Sequence, residues 1–81
     1  MRSLDLHPIF RNNRDIDQAV RSFVFNAHSS GETVAEIITG KGSQRLMTHV
    51  LAYLGQRHMR RFYRQVKKDP ANAGRIVIHF T

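Results

Sequence analysis

The sequence predicts a two-layer α/β sandwich in which two helices cover one face of a four-stranded mixed sheet. Three observations lead there. The apolar period switches between strand and helix spacing several times within 81 residues. Short apolar segments bounded by glycine or proline precede helical ones, which is the signature of strand–helix units. Two final alternating segments are separated by a turn-rich stretch, which suits an antiparallel pair.

The elements follow in the order βαβαββ. Ser3 to Leu6 is a short strand ended by His7-Pro8, because the residue before proline is pushed towards extended geometry. Ile16, Ala19, Val20, Phe23, Val24 and Ala27 then fall on one face of a helix. Asp15 or Asn13 is placed to cap it, Gln18 stands three residues after Asp15, and Gly31 is placed to end it. Thr33 to Thr39, with Val34, Ile37 and Ile38, is too short for a helix and reads as a buried strand. A second helix runs from Ser43 to Gly55 on Leu46, Met47, Val50, Leu51 and Leu54. Arg60 to Val66 and Arg75 to Phe80 read as the last two strands, joined through residues 68–74. Two right-handed crossovers would put both helices on one sheet face and leave the other open.

A chain of this size closes one core, burying roughly 60% of its unfolded surface or somewhat more, so residues 1–81 are expected to form one domain. It has no cysteine, which excludes disulfides and thiolate metal sites. No apolar run approaches the roughly 20 residues of a membrane span, and Met1-Arg2-Ser3-Leu4-Asp5 lacks the apolar stretch of a signal peptide. The expectation is a soluble, cytoplasmic, monomeric domain that does not engage membranes.

Thirteen Lys and Arg against six Asp and Glu give a net charge of +7, and ten of the thirteen are Arg. The planar guanidinium suits phosphate, so polyanions are the natural partners. Between Ile37 and Lys68 there are eight basic residues and no acid, while the first 36 residues hold five of the six acids. That segregation favours one basic face, although a merely solvated face fits the same pattern.

Two segments carry chemistry. Asp5 and His7 close the first strand at i and i+2, on the same sheet face by strand geometry. Asp5 would fix the tautomer of His7 and leave one ring nitrogen as a base near neutral pH. The plainer alternative is a loop-capping Asp and a hydrogen-bonded strand-end His. Thr39-Gly40-Lys41-Gly42-Ser43 lies at a strand-to-helix turn, where glycines admit a phosphate close to the backbone and a helix N-terminus offers unpaired N–H groups. Lys41 adds a charge, and Ser43 either a hydroxyl or a helix cap. Neither a Walker loop nor a G-x-G-x-x-G is present, since Arg45 occupies the last position of the latter. Ligands gather at the carboxyl ends of parallel strands, so the two segments are expected side by side.

Leu4-Asp5-Leu6-His7 and, about 32 residues later, Ile38-Thr39-Gly40-Lys41-Gly42-Ser43, each leading into a helix, resemble the Smr (small MutS-related) domain from Ser3 to Phe80. The resemblance implies the fold of the C-terminal domain of the third bacterial translation initiation factor. It also implies nucleic-acid binding with DNA nicking or RNA cleavage, by members that occur fused to mismatch-recognition ATPases or RNA-binding repeats. On the matching positions, Asp5 and His7 are the catalytic candidates and Gly40, Lys41 and Gly42 the glycine motif. Two departures stand out: Pro8 follows His7 where many members have glycine, and residues 73–80 are leaner in glycine than the family's last strand.

The remaining candidates for nucleic-acid contact are Arg45, Arg60, Arg61 and Arg64, with Lys67 and Lys68 behind them and Phe62 and Tyr63 interleaved for base stacking or for the core. His79 is expected on the open face, and His28, His49 and His58 on solvated surfaces. No metal-ligand cluster is visible, so no cofactor is required, with a weakly held divalent cation at Asp5 as the alternative. For RNA the 2′-hydroxyl supplies an internal nucleophile that His7 could deprotonate. Three functions compete: a structure-selective endonuclease, a non-catalytic nucleic-acid-binding module that acts with another protein, and a protein-interaction domain on the open sheet face.

Overall fold

The computed structural model describes residues 1–6, 12–42 and 44–81. Its elements are β1 (Arg2–Asp5), α1 (Asn13–Ser29), β2 (Val34–Ile38), α2 (Gln44–Leu54), α3 (Arg57–Arg60), β3 (Gln65–Lys68) and β4 (Arg75–His79). The four strands form one mixed sheet in the order β1-β2-β4-β3. β1 runs parallel to β2, while β4 is antiparallel to both β2 and β3. The parallel step follows from α1, a crossover long enough to return the chain to the starting edge.

Burial alternates along the two central strands. Ala35 and Ile37 in β2 and Ile76 and Ile78 in β4 are fully buried, and the register pairs Ala35 with Ile78 and Ile37 with Ile76 on one face. The three isoleucines, with Leu6, share a core with Ile16, Val20 and Val24 of α1 and Leu46, Met47, Val50 and Leu54 of α2. The helical spacing named the core of α1 and most of that of α2. The sequence reading missed Ala35, Thr39, Tyr53 and Met59, all buried, and in β2 Val34 and Ile38 are half-buried on the other face. The opposite face carries Val34, Glu36, Ile38, Arg75, Val77 and His79, all half-buried. There the Arg75 guanidinium bridges Glu36 (2.6 Å) and Asp69 (2.7 Å).

α1 is capped one residue before Asn13 and three before Asp15, the two expected caps. Asn12 is the N-cap: its side chain accepts from the Asp15 N–H at 2.9 Å and donates to the Asp15 carboxylate at 3.1 Å. Asp15 thus serves at the third helical position, as in a capping box. At the other end the Gly31 N–H reaches the His28 carbonyl and the Glu32 N–H the Ala27 carbonyl, with Gly31 at φ 74°. That is the double closure of a Schellman turn.

The expected strand over Arg60 to Val66 is corrected. The segment begins as the short helix α3, turns through residues 61–64, and becomes strand only at Gln65. Two contacts explain the change. Met59, fully buried, anchors α3 beneath α2, and the Tyr63 hydroxyl donates to the Leu54 carbonyl at the end of α2. β4 ends at His79, whose carbonyl already takes the Arg64 N–H, so no partner remains for strand residues before Gln65. Arg60, Arg61 and Arg64 consequently project from a helix and a turn, not from a strand.

Burial raises the Tyr63 pKa above its usual value, so its hydroxyl stays a donor across ordinary conditions. Tyr63→Phe removes one partly buried hydrogen bond and leaves the α2 end unpaired, a cost of about 1 kcal/mol. In a domain this small that lowers the melting temperature by roughly 4–8 °C. Thermal unfolding followed by circular dichroism checks it, and an unchanged Tm would mean that the turn is held by packing alone.

Candidate nucleic-acid interface

The parallel pairing of β1 and β2 brings the two motif-bearing segments to one edge of the sheet. Asp5 is in register with Ile38, and the Leu6 N–H donates to the Ile38 carbonyl at 2.9 Å. The two strands are therefore neighbours about 5 Å apart up to their carboxyl ends. Asp5 is exposed and, being in register with Ile38, lies on the face opposite the helices. His7 falls outside the described residues, as do Pro8 and Ser43.

Beyond Ile38 the chain is gripped by Gly74. The Gly74 carbonyl accepts from the Thr39 N–H (2.7 Å), the Gly40 N–H (3.3 Å) and the Thr39 hydroxyl (3.3 Å). Thr39 is fully buried, so its hydroxyl braces this junction and does not face solvent. Gly40 leaves the strand at φ 89°, a conformation that side-chain-bearing residues rarely adopt. The approach is also very close: a Cβ on Gly74 would lie 2.5 Å from the Gly40 carbonyl carbon and 2.7 Å from the Lys41 nitrogen. Glycine is thus required at both positions, for different reasons.

Past this junction the turn opens to solvent. Lys41 and Gly42 are exposed, and a Cβ built on Gly42 meets nothing within 4 Å. Arg45 is exposed in the first turn of α2, a turn that holds no acidic residue. A lysine and an arginine therefore flank open space beside the start of α2, at the edge shared with Asp5.

Gly74 is itself held by the β3–β4 loop. Asp69 accepts from the Ala71 N–H at 2.8 Å and Asn72 from the Gly74 N–H at 2.9 Å, two Asx turns that aim the Gly74 carbonyl at β2. The hydrogen bond from Arg75, with help from the Ala71 N–H, holds the Asp69 carboxyl below its ordinary value of 3.8. Arg75 is raised in turn by its hydrogen bonds to Glu36 and Asp69.

Arg60, Arg61 and Arg64 do not join this edge. The Arg64 N–H pairs with His79 at one end of β4, whereas Gly74 meets Thr39 at the other, about 17 Å away over five strand residues. Sequence reasoning also missed a second Asp–His pair. His49 Nε2 lies 2.7 Å from Asp17 Oδ1, tying α2 to α1, so His49 is partly buried instead of solvated. Only the placement of the two helices reveals it. His58 approaches the Tyr53 hydroxyl at 3.4 Å, and His28 packs on Phe62. Among the described residues no three His, Cys, Asp or Glu side chains form a metal-holding group. No described helix is long and apolar enough to cross a membrane.

Comparison with protein families decides the lineage: the Smr domain model matches residues 4–81. The chain belongs to the Smr domain family. Neither the curated proteins nor the solved structures contain a significant match. The Smr motif segments, Leu4 to Leu6 and Thr39 to Gly42, are the ones that the parallel β1–β2 pair holds side by side.

Two predictions follow from the junction. Gly74→Ala forces backbone to move and costs about 1–3 kcal/mol, whereas Gly42→Ala leaves the melting temperature unchanged, because its Cβ enters empty space. Paired thermal melts test the contrast. The Asp69 carboxyl, depressed in the fold, adds stability above pH 3.8 that is lost as pH falls further and the group protonates. The gap in Tm between wild type and Asp69→Asn should therefore be full at neutral pH and close below that value.

Proposed function

We propose that this Smr domain binds nucleic acid at the edge where β1 and β2 end, and that it cuts the bound strand there. The observation that carries the reading is the pairing of Asp5 with Ile38, which sets the Asp5 end of β1 beside the Gly40-Lys41-Gly42 turn. Lys41, Arg45 and the open backbone of Gly42 would receive a phosphate, with Ser43 contributing from the head of α2. Asp5 and His7 would carry the chemistry.

For RNA the step needs no added group. His7 takes the 2′-hydroxyl proton, the 2′-oxygen attacks the neighbouring phosphorus, and the bond to the 5′-oxygen breaks. The proton then passes to that oxygen, leaving a 2′,3′-cyclic phosphate and a 5′-hydroxyl. Asp5 would hold the His7 tautomer, and Lys41 would balance charge on the phosphoryl oxygens. A divalent cation at Asp5, activating water, is the corresponding route on DNA. We further take the layer arrangement to be that of the C-terminal domain of the third bacterial initiation factor, in a monomeric cytoplasmic setting.

A non-catalytic binding module, recruiting or directed by a protein partner, is the second reading. Pro8 favours it, because a fixed φ directly after His7 stands where many members have glycine.

Titration against single-stranded RNA, duplex DNA and branched DNA, read for binding and for strand breaks, separates the readings. With about four phosphate contacts, affinity should fall by about two decades between 50 and 200 mM salt. Lys41→Ala should lower the salt slope by about 0.7–0.9. Breaks should vanish in Asp5→Ala combined with His7→Ala; cleavage that survives this change removes the mechanism. Binding without cleavage by the wild type selects the module. Breaks that need Mg²⁺ and disappear with chelator assign the chemistry to a cation at Asp5, and breaks unaffected by chelator to His7.

A further inference from the structure

The end of the domain away from the motif edge carries a feature that the proposed chemistry leaves unused. Phe25, in the last half of α1, is 50% exposed. It is not an isolated surface apolar residue. Its ring meets Phe62 edge-on at 5.7 Å and 86°, and His28 stacks against Phe62 at 5.7 Å and Phe80 at 6.5 Å. The Arg61 guanidinium lies over the Phe62 ring, 5.4 Å from its centroid. These residues are distant in sequence. The C-terminal half of α1, the turn after α3 and the end of β4 bring them together.

The same end is strongly basic. Arg57, Arg60, Arg61 and Arg64 are all exposed within eight residues. Of the described acids, Asp5 ends β1, Asp15 and Asp17 lie in the first two turns of α1, Glu36 is engaged by Arg75, and Asp69 lies in the β3–β4 loop, bound to Arg75. Arg57 and Arg61 also line an open recess of about 490 Å³ together with Gln56 and His58.

We propose that this end is a second binding surface that takes an unpaired nucleic-acid segment, stacking a base on Phe25 and the Arg61–Phe62 pair and holding its phosphates with Arg57 and Arg64. The inference rests on the nucleic-acid reading above and deepens it by naming the substrate class. Four exposed guanidiniums within eight residues match a polyanion. Exposed aromatic surface flanked by cations adds something a duplex cannot use, because its bases present π faces only when unstacked. A substrate with a duplex or junction at the motif edge and a single-stranded extension would then engage both ends.

The test is fluorescence anisotropy on the full chain with a labelled single-stranded oligonucleotide of about twelve nucleotides and a blunt duplex of the same sequence. Phe25→Ala should weaken single-strand binding about tenfold, leave duplex binding within about twofold, and keep the salt slope. Phe25→Leu, which retains an apolar contact to Phe62 but no ring, should lose a similar factor, and both variants should melt within a few degrees of wild type. Arg61→Gln should weaken single-strand binding and lower the salt slope by about 0.7. If Phe25→Ala and Phe25→Leu bind the single strand as wild type does while Lys41→Ala is impaired, the second surface is wrong and the motif-edge reading stands. Wild type binding neither oligonucleotide overturns both. A wild-type dimer in sedimentation that Phe25→Ala dissociates, with oligonucleotide binding unchanged, assigns the patch to a second copy and overturns the inference.

Discussion

One backbone carbonyl organises the working edge of this domain. The Gly74 oxygen accepts from two successive N–H groups and one hydroxyl, those of Thr39 and Gly40, at the point where β2 stops being a strand. Carbonyl oxygens have two lone pairs, so a third donor is held at the margin of normal geometry. That crowding requires the two backbones to touch, which is why Gly74 has no room for a side chain, while Gly40 is needed for its positive φ. Everything beyond depends on it. The direction in which Lys41 and Gly42 leave the sheet is set by this contact, and the contact is set by two Asx turns in the β3–β4 loop. The Gly40-Lys41-Gly42 turn and the loop behind it, 35 residues apart in sequence at Thr39 and Gly74, are one mechanical unit.

Much of this was legible in the residues, and the misses share a cause. The helix faces of α1 and α2, the alternation of β4 and the turn at residues 68–74 are local periodic signals, and each agrees with the structure. The adjacency of Asp5 and the glycine turn was also legible, because a helix between two short strands almost always returns them as parallel neighbours. What failed was Arg60 to Val66. Phe62, Tyr63 and Val66 look like strand formers, yet their state is decided by partners far away. Leu54 takes the Tyr63 hydroxyl, Phe25 takes Phe62, and the length of β4 fixes where β3 begins. The same reasoning explains why Thr39 was expected to face a ligand: its spacing shows the motif, and only the fold shows that Gly74 lies behind it. The Asp17–His49 contact likewise exists only once α1 and α2 are packed.

The distribution of charge now has a structural meaning that the total of +7 does not convey. Near the carboxyl ends of β1 and β2 lie Lys41 and Arg45 with Asp5, while the far end carries the exposed Arg57, Arg60, Arg61 and Arg64. The two ends are about 17 Å apart along β4, roughly twice the Debye length of about 8 Å at physiological ionic strength. Charges at one end are therefore screened from a phosphate at the other. Neither end can strengthen the hold of the other through the field; they are coupled only by a ligand long enough to lie across both.

That geometry bears on how a domain this small could be selective. Under the proposed function, an edge with few charges would contribute little to affinity, and on its own it would release a substrate readily and discriminate poorly. An arginine-rich end contributes attraction without chemistry. If the proposed cleavage site and the far end were one patch, any polyanion would be held where cutting is proposed. Separated by two Debye lengths, they would make productive binding conditional on a second segment reaching the far end. The local concentration at the motif edge is then raised only for ligands whose shape spans the gap, the tethering effect of two linked weak sites. Selectivity for structure would come from the length of a four-stranded sheet, not from recognition of any base.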